Sequence, residues 1–308
     1  MSARLLLLCP GQGGQYAGMN DMARADPAAA RFLDGVALPD GSLFDNRVAQ
    51  AAVVAATLAM WMALRAGVAA LGLRPALVAG YSVGELSAYG VAGAFEASTC
   101  VTLAHARARL MDAAAAASLG GQTLAAISGV SVTGTARLAA AAGWAIAIVN
   151  SHDSCVAGGP LAQLPALQQL VADAGGRLQP LPVTVAAHTP LLAGAVAPFA
   201  RLLENTPFGP LACPVLCGID GSSNGGTQAA VAQARASSVL SRQLAETIAW
   251  ADCMDAAAEG GINVALELGP GAALARMLQA RHPAIACRSV SEFRSTDGVV
   301  AWLERAAR

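Results

Sequence analysis

Residues 73–93 read LRPALVAGYSVGELSAYGVAG, and the fold of the whole chain turns on how this stretch is taken. Pro75 opens a short apolar run at 76–79, long enough for one buried strand. Gly80-Tyr81-Ser82-Val83-Gly84 follows at once, and 85–91 has the composition of a helix start. Glycine-flanked serines also occur in ordinary turns. A GxSxG set between a strand and a helix is different: it predicts a nucleophile elbow, with Ser82 Oγ pushed clear of the backbone. Gly80 and Gly84 leave room for that sharp turn, and the helix aims its free N–H groups at charge developing on an attacked carbonyl.

Upstream of the elbow, 4–9 predicts a strand, and Pro10-Gly11-Gln12-Gly13-Gly14-Gln15 a tight glycine-rich loop. Such a loop exposes backbone N–H groups, as a phosphate cradle or an oxyanion hole would, and equally serves as a plain strand-to-helix turn. Residues 21–45 are polar with a helical piece at 28–33, and 46–71 form a long apolar helix. Downstream, 96–117 is a helix carrying His105, Arg107 and Arg109; two residues apart, the arginines point to different faces. The rhythm then changes. Strands at 123–127, 145–149, 154–157 and 177–185, with helices at 132–141 and 161–174, give the order βαββαβ of a ferredoxin-like unit. It is expected as a small domain (119–189) inserted into a larger one (1–118 and 190–308), with hinges near 117–121 and 186–189. Beyond it, helices at 190–204, 228–244, 250–259 and 272–281 alternate with strands at 215–219, 264–268 and 287–290, and 220–227 is a loop. The fold class is α/β with a mostly parallel sheet covered on both faces.

Composition narrows the chemistry. The chain has 308 residues, an apolar fraction of 55% and a net charge of −1, which argues against a nucleic-acid surface. All 19 basic residues are arginine, so a Walker P-loop, a Schiff-base lysine and pyridoxal phosphate chemistry are excluded. The seven cysteines are scattered without a CxxC pair, and Cys213 and Cys217 fall in one predicted strand; buried reduced thiols of a cytoplasmic protein are expected, and no metal. The apolar run at 51–73 raises the question of a membrane span, but Arg65 interrupts it and a buried helix is expected.

Ser82 needs a base. His105 lies in a helix, His152 in a turn between strands, and His282 before Pro283 in a connection. His188 stands where the small domain hands the chain back, at a junction that faces the cleft between domains, and is favoured for that reason.

PGQGGQ, GYSVGE, RARLM, VTVAAH and RQL…W, in this order and spacing over nearly the whole chain, resemble the malonyl-CoA:acyl-carrier-protein transacylases. The resemblance implies an α/β-hydrolase-like core with the ferredoxin-like insert. It implies Ser82 as acyl acceptor, His188 as its base, and Gln12 and Val83 as backbone donors of the oxyanion hole. Arg107 matches the arginine that binds the free malonyl carboxylate, for which a planar, permanently charged fork is suited. Gln243 matches a glutamine whose backbone carbonyl takes the place of a triad carboxylate beside the histidine, and Asn150 an asparagine near the active-site mouth. The implied reaction is a ping-pong transfer of malonyl from malonyl-CoA to the phosphopantetheine thiol of an acyl carrier protein, without a bound cofactor, metal, nucleic acid or membrane. The sequence departs from the family pattern in several places: Tyr81 stands for the usual histidine, Ala51 for a proline, and Glu246-Thr247 for Asn-Pro. The stretch between Gln15 and Gln50 is short, and Val185-Ala186-Ala187 matches neither common acyl-selecting pattern. These departures fit a specialised member, serving a malonate decarboxylase or a polyketide pathway, as well as a fatty-acid enzyme. A serine hydrolase of the same elbow and an inactive carrier-binding scaffold are the alternatives.

Overall fold

The computed structural model describes residues 3–117, 120–226 and 228–308. In chain order the elements are β1 (Leu5–Cys9), α1 (Pro27–Asp34), α2 (Asn46–Ala70), β2 (Pro75–Gly80), α3 (Gly84–Val91) and α4 (Ala97–Ala116). Next come β3 (Gln122–Ser128), α5 (Val132–Ala141), β4 (Ala145–Ser151), β5 (Ser154–Pro160), α6 (Leu164–Asp173) and β6 (Arg177–Pro180). The chain closes with α7 (Ala193–Glu204), β7 (Val215–Leu216), β8 (Ser223–Asn224), α8 (Ala229–Arg242), α9 (Trp250–Glu259), β9 (Val264–Glu267), α10 (Ala273–Arg281), β10 (Ala286–Ser289) and α11 (Thr296–Ala306).

Two sheets organise these elements. The larger runs β10-β9-β1-β2-β7-β8 and is parallel except for β8, which returns antiparallel on β7. β1 is central, pairing with β2 on one side and β9 on the other, which is why Leu5, Leu6, Leu7 and Leu8 are all buried. A strand covered on both faces needs apolar residues at every position, each worth about 1.5–3 kcal/mol when fully buried. α2 is long and apolar enough by length and composition to cross a membrane, but most of it is buried inside the structure. Its uncharged polar residues, Asn46, Gln50 and Thr57, are buried too, and each has a hydrogen-bond partner, while Arg47 and Arg65 are exposed.

The smaller sheet runs β4-β5-β3-β6 and is antiparallel throughout. Its two faces separate by strand alternation. Ala125, Ile127, Cys155 and Ala157 pack with Leu167 of α6 and Ala139 of α5 in their own cluster. Leu124, Ile148 and Val156 face the other way and join the main core. Backbone bonds tie the edge strand β4 to the segment before α9: Val149 N–H donates to Ile248 C=O, and Ile248 N–H to Ala147 C=O, both at 2.9 Å.

Several predicted boundaries are corrected. The strand expected over 177–185 ends at Pro180: Leu181 N–H still reaches Leu124 C=O, but Pro182 has no N–H to continue the ladder. The strand expected at 215–219 is two residues long, and neither Cys213 nor Cys217 lies in it. The loop at 220–227 contains β8, and its Thr227 lies outside the described residues, as do two residues (118 and 119) of the expected hinge at 117–121. α11 has no counterpart among the elements expected from the sequence.

Candidate active site

β2 ends at Gly80 beside β1, and Tyr81 N–H still donates to Cys9 C=O at 3.0 Å. The chain then reverses within one residue. Ser82 sits at φ 58° and starts the turn into α3, with Gly84 N–H on Tyr81 C=O and Glu85 N–H on Ser82 C=O, both 3.0 Å. The flanking glycines are required by space. A Cβ on Gly80 would stand 2.2 Å from Glu85 N, and one on Gly84 2.1 Å from Cys9 O. Among the described residues, only Ser82 and His188 are non-glycine residues at positive φ, His188 at 63°. Each such residue carries conformational strain of order 1–3 kcal/mol, and surrounding structure must hold it. For His188 that hold includes its N–H on Leu244 C=O at 2.9 Å.

The two strained residues meet. Ser82 Oγ lies 2.8 Å from His188 Nε2, and His188 Nδ1 lies 2.5 Å from the backbone oxygen of Gln243. A carbonyl only accepts, so Nδ1 carries the ring proton and Nε2 is left free to accept the Ser82 proton. Burial, with the nearby Arg107 charge second, pushes the imidazole pKa down to about 3, against a smaller upward pull from Gln243 C=O. The ring is therefore neutral at physiological pH. This arrangement can take a proton from the serine and return it to a leaving group.

Around this pair lies a cleft of about 420 Å³, walled by Gly11–Gly14, Ser82, His188 and the apolar face of the smaller sheet (Leu124, Ile148, Val156). Gln12 and Val83 flank Ser82 from the β1 loop and the start of α3, and neither backbone N–H is engaged by another described residue. The Gln12 side chain reaches Asn46 Oδ1 at 3.5 Å.

Arg107 is 2% exposed in α4. It donates to Gln50 Oε1 at 2.7 Å, Gln243 Oε1 at 3.3 Å and Met111 Sδ at 3.2 Å, all neutral acceptors. Burial lowers its pKa to about 10, so it stays cationic. It is not itself a wall of the cleft; Met111 and Asn46 form the wall beside it. Arg109 is exposed on another face of the helix. Asn150 is one step removed as well: its Oδ1 accepts from Tyr81 O–H at 3.2 Å, and the Tyr81 ring packs edge-on against Trp250. The other histidines stand apart. His105 faces Ala37 C=O, His152 is exposed beside Asp153, and His282 pairs with Asp255.

Sequence reasoning missed three groups of this centre. Gln50 and Asn46 were visible as polar residues four apart in an apolar helix, and Gln50 Nε2 donates to Asn46 Oδ1 at 2.7 Å. Glu85, inside GYSVGE, is fully buried, and burial raises its pKa to about 8. Its Oε2 accepts from Gln243 Nε2 and from Gly218 N–H. A lone carboxylate on a helix with no polar face was the available signal.

Residues 6–295 match the acyl transferase domain family. The chain belongs to it. The acyl transferase chain is 27% identical over 301 residues to one component of the phenolphthiocerol/phthiocerol polyketide synthase of Mycobacterium tuberculosis, covering 92% of this chain but only 19% of that protein. The chain thus spans about a fifth of the length of the first of its curated relatives. It is 29% identical to a malonyl CoA-acyl carrier protein transacylase of Mycobacterium bovis, over 93% of this chain and 96% of that one. Among solved structures, a malonyl-CoA:acyl carrier protein transacylase of Xanthomonas oryzae superposes with a TM-score of 0.85 at 28% identity, over 100% of both chains.

Proposed function

We propose that this acyl transferase moves a malonyl group from malonyl-CoA to the phosphopantetheine thiol of an acyl carrier protein. The observation that carries this reading is the Ser82–His188–Gln243 line set beside a buried guanidinium that has only neutral partners. A buried cation without an anion is costly, and a substrate carboxylate supplies one. In the proposed cycle His188 Nε2 takes the Ser82 proton as Oγ attacks the thioester carbon. The N–H groups of Gln12 and Val83 hold the oxyanion, each such donor being worth about 3–4 kcal/mol. The C–S bond breaks, CoA leaves with the proton from His188, and the carrier thiol runs the same steps in reverse. Arg107 selects the free carboxylate, and Asn150, through Tyr81, fixes the residue before the nucleophile.

In the same reading the larger sheet and its helices (1–118 and 190–308) are an α/β-hydrolase-like core. The βαββαβ segment (119–189) is a ferredoxin-like insert whose inner face closes the cleft, and the protein works in the cytoplasm. The His188 ring partner is a backbone carbonyl rather than a carboxylate, which favours transfer over the serine hydrolase alternative. The test is to supply malonyl-CoA with and without a holo carrier protein. Malonyl-loaded carrier, with slow release of free malonate in its absence, supports the reading. Rapid malonate release makes the chain a hydrolase, and no reaction makes it a scaffold.

A further inference from the structure

Gln243 serves two functional groups at once: its backbone oxygen accepts from His188 Nδ1, and its side-chain Oε1 accepts from Arg107. The second contact depends on which way the amide faces. Turned by 180°, the same side chain would present its NH2 to the guanidinium, donor against donor. What holds the amide is Glu85. Its Oε2 accepts from Gln243 Nε2, and Gly218 N–H donates to the same oxygen at 2.9 Å. A glycine leaves room for this approach: a Cβ on Gly218 would stand 2.7 Å from Glu85 Oε2 and 3.3 Å from Gln243 Nε2 and would force the carboxyl to shift. The other carboxyl oxygen, Oε1, is buried without a hydrogen-bond partner, so the carboxyl is committed to this one contact set.

We propose that Glu85 is a positioning residue of the acyl-transfer site: by clamping the Gln243 amide it turns Oε1 toward Arg107 and steadies the backbone carbonyl that orients His188. The inference rests on the proposed malonyl transfer and adds to it the group that keeps base and selector in register. The required property is a hydrogen-bond acceptor at Oε2, and a negative charge is not needed. The upward push of burial on this carboxyl agrees, because it keeps the group largely protonated at neutral pH. The proton then has the unpartnered Oε1 to occupy, leaving Oε2 as an acceptor.

The test compares wild type, Glu85→Ala, Glu85→Gln, Gln243→Ala and the Glu85→Ala/Gln243→Ala double variant. kcat and KM are measured for carrier loading from malonyl-CoA and from acetyl-CoA, with a thermal melt for each protein. Glu85→Ala is expected to lose about tenfold or more in kcat/KM for malonyl-CoA and less for acetyl-CoA, so the malonyl-to-acetyl ratio falls. Glu85→Gln, which keeps the acceptor, is expected to stay within about threefold of wild type for both. The double variant is expected to be no worse than Gln243→Ala, as for residues acting as one unit. Should Glu85→Ala not fold, Glu85→Asp reads the same ratio, since it withdraws the acceptor by one methylene. A folded Glu85→Ala or Glu85→Asp with the wild-type ratio overturns the proposal, and so do Glu85 and Gln243 losses that multiply. Failure of wild type to load malonyl at all would instead overturn the transferase reading.

Discussion

In the proposed reading Arg107 is the group that distinguishes a dicarboxylic acyl unit from a plain one, and replacing it by alanine removes that group. The size of the effect follows from the burial of the guanidinium. Its pKa is pushed from 12.5 to about 10, chiefly by desolvation. That depression corresponds to about 3 kcal/mol against the charged form. The hydrogen-bond acceptors around it, Gln50, Gln243 and Met111, are neutral. A malonyl carboxylate arriving past Met111 offsets this cost and its own desolvation, whereas an acetyl group gives the cation nothing. Arg107→Ala is therefore expected to lower the malonyl-to-acetyl ratio of kcat/KM by roughly 10²-fold, with the usual loss on breaking a buried pair, about 3–5 kcal/mol, as the upper bound. The substitution also strands two buried amide oxygens, at about 1–3 kcal/mol each, so the melting temperature falls as well. For that reason the ratio, and not the absolute rate, is the informative readout. Arg109→Ala is the control and leaves the ratio unchanged. Initial rates of carrier loading from the two thioesters, at matched folded protein, measure it. A ratio unmoved by Arg107→Ala, or a wild type that prefers acetyl, refutes the dicarboxylate assignment.

Further outcomes follow from two buried titratable groups, His188 and Glu267. His188→Ala should slow acylation by about 10²–10⁴-fold, while substitutions of His105, His152 and His282 should not. Because the His188 pKa is depressed to about 3, the neutral base persists on acidification, and the wild-type acylation rate should hold from pH 7 down to pH 5; a fall with a midpoint near 6.5 contradicts this. Glu267, at the end of β9, is buried against the start of α10, where Ala275 N–H donates to its Oε2, and burial raises its pKa from 4.5 to about 7. A raised carboxyl favours the fold most below pH 4.5 and loses that contribution as pH rises to about 7, by roughly 3 kcal/mol. Urea unfolding at pH 4.5 and 7.5 should thus show a smaller stability difference for Glu267→Gln than for wild type, and equal differences refute the assignment.

The legible parts of this molecule are those where one local pattern decides the structure. β1 and β2 are short apolar runs because both faces are covered, and the elbow is legible because Gly80, Ser82 and Gly84 have no slack in their spacing. His188 is expected from its place at the return from the small sheet, and its ring lies 2.8 Å from Ser82 Oγ. What sequence did not show depends on contacts between distant segments. β7 looked longer because CPVLCGI is apolar, yet Gly218 N–H leaves the ladder for Glu85, far away in the chain. α11 escaped notice because Gly298 breaks its opening turn, although Ser295 Oγ caps it by accepting from Gly298 N–H. The Glu85–Gln243–Arg107 line was invisible for the same reason: no spacing rule links three segments that meet only in the folded core.

The central claim is that Ser82 carries the acyl group. The direct measurement is to mix the protein with malonyl-CoA, quench in acid, digest, and map the mass added by one malonyl ester along the chain. The account predicts the label on the peptide holding Ser82 and nowhere else, and an unlabelled but fully folded Ser82→Ala. A label of normal yield on Ser82→Ala, or one mapped to another residue of the wild type, contradicts it.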